Sequence, residues 1–255
     1  MSVTVLDPER HGSLRLLQST DFSFARDRIM VPVWGQEIPH AARFFPVVFM
    51  PRDDQWIPIA LMGLEEGRNP FVSSRGKWLA DYIPAVLRAH PFYSVESGQG
   101  EPVLGIEEND PSLTEDMTLE ERSLPLFEAD GTPSELTHTA LSVLQQIRGQ
   151  QEHTWKAMRI LERLDLLAPW VPRSGERGSS QLYAVDETAI KNLDDERFLE
   201  LREPGVLALI YAHLVSLRQF HSLQKSHSQL WLAAKQQGSN ALFPQESDLF
   251  IFGDR

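Results

Sequence analysis

The sequence predicts an α+β protein, in which a mixed or antiparallel N-terminal sheet packs with a helical C-terminal region. Three observations lead there. From Asp21 to Ile106, short β-prone runs alternate with Gly and Pro. From Thr132 onward, apolar residues recur at helical spacing. Between these two patterns, residues 107–130 carry nine Asp or Glu against one basic residue, Arg122. The chain thus divides into a β-rich region (1–106), an acidic connector (107–130), a helical region (131–237) and an irregular tail (238–255). With 42% hydrophobic and 24% charged residues among 255, it can bury a sizeable core as one large domain or two modest ones.

The strands follow from β-branched and aromatic content. "RIMVPV" (28–33), "PVVFM" (46–50), "WIPIALMGL" (56–64), "FYSV" (92–95) and "PVLGI" (102–106) each satisfy that criterion. Pro32, Pro46 and Pro58 lie at the starts of these runs or within them, which predicts edge or bulged strands. "EIPHAARFF" (37–45) predicts one short helix. "KWLADYIPAVLRAH" (77–90) predicts another, with Pro84 either kinking it or opening a shorter one. Turns are expected at Glu65–Asn69, where Gly67 can take positive φ, at Ser73–Gly76, and at "SGQG" (97–100).

The acidic connector reads as a solvated linker, the usual fate of a block of like charges, or as a strap for a basic partner. After it, "DGTPSEL" places Thr132 as N-cap, Pro133 at N1 and Glu135 at N3 of a long amphipathic helix. Its stripe runs from Leu136 to about Leu167, with Gly149 weakening the middle. Residues 168–180 are expected to be a loop. Asp186 and Asp194 cap two short helices, the second reaching about Arg202. "EPG" (203–205) precedes a final long helix, and the tail ends in the apolar "DLFIF".

Charge and composition narrow the function classes. A formal charge of -12 disfavours nucleic acid and anionic lipid as partners. The chain has no cysteine, which excludes disulfides, thiolate metal sites and cysteine nucleophiles. "MSVTVLDPERHGSLRL" lacks the basic start and apolar run of a secretory signal, so a cytoplasmic location is expected. The most apolar run, "VLALIYAHLVSL" (206–217), is too short for a span of about 20 residues.

The stretch from 208 to 227, which continues that run, carries three histidines. On one helix, ligands to a shared ion sit three or four residues apart. His213 and His221 are about 80° apart round the axis, and His221 and His227 about 120°. No pair can share an ion within the helix. Leu207, Ile210, Tyr211, Leu214 and Leu217 are expected to form the buried stripe; His213, at its margin, is expected to be a buried structural residue, and the other two to lie at the surface. No metal site and no cofactor are expected.

Enzyme templates find little support. There is no G-x-S-x-G, phosphate-binding glycine loop or H-E-x-x-H. Histidines paired with carboxylates at facial-triad spacing are also lacking. A triad assembled in space stays open. The candidate binding surface is the cluster Trp78, Tyr82, Arg88 and Phe92, with Arg43 nearby. Aromatics and Arg are what binding hot spots favour, although packing of a helix on the sheet is the simpler account of the rings.

Several blocks carry a resemblance: "RFFPVVFM", "GLEEGRNPFVSSRGKWLADYIPAVLRAHPF", "LFEADGTPS" and "FLELREPGVLALIYAHLVSLRQFHSL". In this order, from about Leu14 to Leu223, they resemble the SapC family of bacterial proteins. The sequence departs mildly at Phe45, where the family usually has Tyr, and at His40 and Ser73. The resemblance implies a role tied to surface layers and serum resistance, or an accessory role beside oxygenases and halogenases. The permease label of some relatives conflicts with the missing spans. The favoured reading is a non-enzymatic binding or accessory protein for a peptide or protein partner, a component of an oxygenase or halogenase system being one option. The alternatives are an oxygenase-like or hydrolytic enzyme with dispersed site residues, a surface-layer component, and self-association as a homo-oligomer.

Overall fold

The structure is a computed structural model that describes residues 3–65, 67–96, 102–170 and 182–236, with side chains to residue 229. The turn expected at 97–100, most of the 168–180 loop and the tail after Gly238 lie outside the described residues. The chain opens with β1 (Val3–Val5), α1 (Pro8–His11), β2 (Arg15–Leu17), β3 (Met30–Pro32), α2 (Glu37–Ala41), β4 (Val47–Arg52) and β5 (Gln55–Leu61). It continues through α3 (Ala85–Arg88), β6 (Phe92–Glu96), β7 (Pro102–Glu107), β8 (Leu113–Thr114), β9 (Ser123–Pro125) and α4 (Glu135–Arg163). Last come β10 (Leu167–Pro169), β11 (Tyr183–Val185), α5 (Glu187–Lys191), α6 (Asp195–Glu200), α7 (Val206–Ser216) and α8 (Gln219–Gln236). Every strand pairing is antiparallel. The expected α+β class is the class observed. Among the described residues, no helix is long and apolar enough to cross a membrane.

The chain folds into two compact units, each discontinuous in sequence: Met1–Thr20 with Ala85–Gly149, and Asp21–Pro84 with Gln150–Arg255. The first unit holds two three-stranded sheets, ordered β1-β7-β6 and β8-β2-β9. Phe92, Leu104, Ile106, Leu126 and Phe127 form its core with Ala140 and Leu144 of α4. The acidic segment is folded here instead of linking regions. It supplies β8 and β9, which flank β2, because Leu113 and Leu126 bring apolar side chains to that core. The start of α4 also shifts. Asp130 accepts from the Thr132 amide at 3.0 Å and from its hydroxyl, forming a turn at Gly131 (φ 83°). The cap passes to Ser134, whose Oγ accepts from the Thr137 amide at 3.4 Å. Gly149 leaves α4 unbroken.

The second unit is built on a five-stranded sheet, β10-β11-β4-β5-β3. Pro32 sits in β3, an edge strand, as a residue without an N–H requires. Pro58, however, sits in the inner strand β5, just past the last pair to β3, Pro32↔Ile59. The predicted 77–90 helix shrinks to Ala85–Arg88. Trp78 instead bridges Val72, closing a turn in which Gly76 has φ 76° and donates to the Ser73 carbonyl. Ile83 precedes proline and is biased out of the helical region. Asp186 and Asp194 cap α5 and α6 as expected.

The final helix is two helices, broken at Leu217–Arg218. Ser216 Oγ donates to the His213 carbonyl at 2.6 Å, a back-bond that bends helices. The same oxygen accepts from the Val47 amide at 2.8 Å. His213 is buried, as expected, and its role is specific. β11 and β4 pair directly only at Tyr183↔Phe49. Two residues on, in the same register, Val185 faces Val47 across a wider gap. The imidazole fills that gap: Nδ1 donates to the Val47 carbonyl (2.6 Å) and Nε2 accepts from the Val185 amide (3.0 Å). Burial holds the ring neutral, its pKa pushed down to about 4 despite the bond to Val47. His221 is exposed, as expected. His227 is buried, contrary to expectation, with its Nε2 3.5 Å from the Glu65 carboxylate, which also pairs with Arg68. The break before α8 rotates its faces, so helical spacing counted from α7 misassigns His227.

Candidate functional site

The second unit contains a cavity of about 430 Å³, within the size range of ligand pockets. Its walls come from α2 and the residues before it, from the part of α4 after Gln150, and from the start of α7. Ile38, Ala157 and Leu209 make it apolar, each at most 4% exposed. Gln150, His153, Thr154 and His40 supply the polar lining, and no acidic side chain is among the lining residues. That is notable for a chain of net charge -12.

One wall is fixed by side chains of α4. Gly35 has φ 51° and donates its amide to Thr154 Oγ1 at 2.7 Å. Gln36 donates its amide to Gln150 Oε1 at 3.1 Å. Thr154 in turn donates to the Gln150 carbonyl at 2.7 Å, so its hydroxyl proton is committed within the helix. A side chain at position 35 would collide with Gln150. Across the cavity, Gly205 starts α7 with φ 91° and no side-chain cap. Ala208 lines the cavity and continues along α7 into Tyr211 and Val215, spaced i, i+3 and i+7 on one face. Tyr211 and Val215 are 63% and 64% exposed. An apolar strip therefore leads out of an apolar cavity.

The five residues proposed from sequence separate. Trp78 is 8% exposed, packs on Phe22, Phe45 and Phe71, and donates its indole N–H to the Tyr82 carbonyl at 2.9 Å. Phe92 is part of the core of the other unit, and Arg88 is exposed at the end of α3 in that unit. The cluster read from chain proximity is therefore not assembled as one group within either unit. Tyr82 and Arg43 are placed differently. Half-buried Tyr82 stacks on Phe44 at 6.2 Å (7°) and on His40 at 6.2 Å (19°), and donates its hydroxyl to Glu37 at 2.9 Å. Arg43 lies over the Phe44 ring at 5.6 Å. The row Arg43, Phe44, Tyr82, His40 thus ends at the cavity lining.

Among the described residues, one group has the spacing of a metal site, His90, Glu107 and Asp110 in the first unit, with one donor atom from each lying within 4.8 Å of the others. Neither this group nor the cavity was legible beforehand. The cavity residues are 35–40, 150–157 and 204–209, too far apart in sequence for any spacing rule. The stripe expected to be buried on α7 pointed the other way, because it placed Tyr211 inside. The buried face is Val206, Leu209, Ile210, His213 and Ser216. Tyr211 shares an exposed face with Ala208 and Val215, because the helix packs about one residue round from the most apolar stripe.

The SapC family model matches residues 6–223. The chain belongs to the SapC family. No curated protein and no solved structure matches it. SapC membership covers both compact units and includes every cavity residue, so the cavity lies within the family portion of the chain.

Proposed function

We propose that this SapC protein is a non-enzymatic binding protein, and that its cavity takes an apolar side chain of a peptide or protein partner. The carrying observation is the continuity of an apolar, acid-free cavity with the exposed strip Ala208, Tyr211 and Val215. A free small molecule needs only the cavity. An extended partner uses both, with an anchor in the cavity and flanking residues along α7. His40, backed by Tyr82, Phe44 and Arg43, supplies a polar and aromatic rim. The lining lacks a nucleophile with an adjacent base, and its one hydroxyl, Thr154, is engaged at both ends. This supports binding over catalysis. A cytoplasmic location is part of the proposal and is checked by fractionation, since recovery mainly in the medium would count against it.

The test uses peptides selected from a displayed random library on the full chain. The expected result is enrichment of sequences with a large apolar or aromatic anchor. Ala208→Trp, at an exposed position beside the cavity, should weaken the selected peptides at least 30-fold, about 2 kcal/mol. Its melting temperature should stay within a few degrees of the parent. Equal binding by Ala208→Trp, or a selection with no apolar preference, would reject the cavity as the recognition site.

A further inference from the structure

We infer that His90, Glu107 and Asp110 form a binding site for one divalent transition-metal ion. The argument begins with strand register. Phe92 pairs with Ile106 at the end of the β6–β7 ladder, and the Glu107 amide donates to the Pro91 carbonyl at 3.2 Å. His90 and Glu107 are therefore held just past the same end of one ladder. The chain then turns: the Asp110 amide donates to the Glu107 carbonyl (3.0 Å), and the Leu113 amide to the Asp110 carbonyl (3.0 Å). Three backbone bonds thus fix the three side chains on a rigid frame, the condition that a preorganised site needs.

The side chains are oriented as well. His90 Nε2 lies 2.7 Å from Asp110 Oδ2, and their side chains are only 8% and 5% exposed. Asp110 Oδ1 is taken by the Ser112 amide at 2.8 Å and by the Ser112 hydroxyl, which leaves Oδ2 facing the imidazole. Glu107 Oε2 accepts from the Tyr93 hydroxyl at 3.0 Å. Outer partners of this kind orient metal-binding carboxylates in known sites.

An ion pair between His90 and Asp110 is complete without Glu107. Charge makes the difference, because two carboxylates around one imidazole leave at least one negative charge over even when the ring is protonated. A divalent cation neutralises both carboxylates and leaves the imidazole neutral, as a ligand must be. Donors about 2.1 Å from one ion lie roughly 3–4 Å apart, so His90 Nε2 and Asp110 Oδ2, 2.7 Å apart, open slightly to admit the ion, while Glu107 already has an oxygen within 4.8 Å of both. Nitrogen and carboxylate donors without thiolate suit Zn²⁺, Mn²⁺ or Fe²⁺. Three protein ligands leave coordination positions for water.

The experiment is equilibrium dialysis of tag-free, chelator-stripped full chain against Zn²⁺ or Mn²⁺ alone, with melting followed in parallel. One equivalent per chain is expected, with a rise in melting temperature. Glu107→Gln, at a half-buried position, should weaken binding at least 10-fold without lowering the metal-free melting temperature. Tyr93→Phe, which keeps all three ligands, should weaken it by about 10-fold through lost orientation. Absence of a stoichiometric equivalent would overturn the inference. So would a bound equivalent whose affinity is unchanged in Glu107→Gln, because that ion would sit elsewhere.

Discussion

His213→Ala is expected to cost about 4–5 kcal/mol of stability. The ring is fully buried and stands in for a ladder rung between β4 and β11. Truncation strips the Val185 amide of the imidazole at a cost of about 1–3 kcal/mol, leaves the Val47 carbonyl only the long 3.4 Å bond from Ser216 Oγ, and adds a cavity beside Phe49. His213→Gln, with an amide able to reach one of the two partners, should lose less. Urea denaturation at pH 7.5 decides the matter. A loss below 1 kcal/mol for His213→Ala would show that the strands close directly on each other.

The same ring makes stability depend on pH, and the sign follows from its depressed pKa of about 4. In the unfolded chain the imidazole takes a proton near its ordinary value of about 6.5. Between these values the unfolded state binds the extra proton and the folded state does not. Stability is therefore fully present above about pH 6.5, falls as pH drops through that value, and levels off below about 4. The loss amounts to roughly 3 kcal/mol in total. Because carboxylates also titrate at the acid end, the contribution is read as the difference between the parent and His213→Gln across pH 7.5 to 4.5. Parallel curves would exclude His213 as the source.

Trp78→Ala is expected to cost about 3–5 kcal/mol, whereas Tyr82→Ala, four residues on, should cost only about 1–2 kcal/mol. The indole packs among Phe22, Phe45 and Phe71 and holds the Tyr82 carbonyl, so its loss opens the core. Tyr82 gives up a hydroxyl bond to Glu37 and two stacked neighbours at a half-buried position. Binding of the selected peptides should order the other way. Tyr82→Ala and Arg43→Ala should weaken peptides that reach the rim, while properly folded Trp78 variants such as Trp78→Phe should retain them. Equal destabilisation by Trp78→Ala and Tyr82→Ala, with peptide affinity unchanged in Arg43→Ala, would make the whole row packing.

The sequence by itself determined what depends on neighbours along the chain. β-branched runs marked β4, β5, β6 and β7 closely, since strand propensity and flanking turns are local. The caps Asp186 and Asp194 and the positive-φ glycine at 67 follow from chemistry within three residues. The burial of His213 was readable from the apolar character of α7, although the stripe expected to be buried wrongly took in Tyr211. Local signals misled where two of them competed for one segment. Asp130 drew Thr132 into a turn and moved the cap of α4 to Ser134, and Trp78 went to a bridge with Val72 in place of a helix.

Tertiary structure alone decided the rest. Which backbone groups His213 satisfies depends on β11 departing from β4 after one pair, a matter of long-range register. The cavity joins residues near 35, 150 and 205, and the metal-ligand group joins 90 to 107 and 110 across a strand pair. No periodicity encodes such meetings, because they are set by which strands pair and in what register, and that is fixed by burying apolar surface over the whole unit.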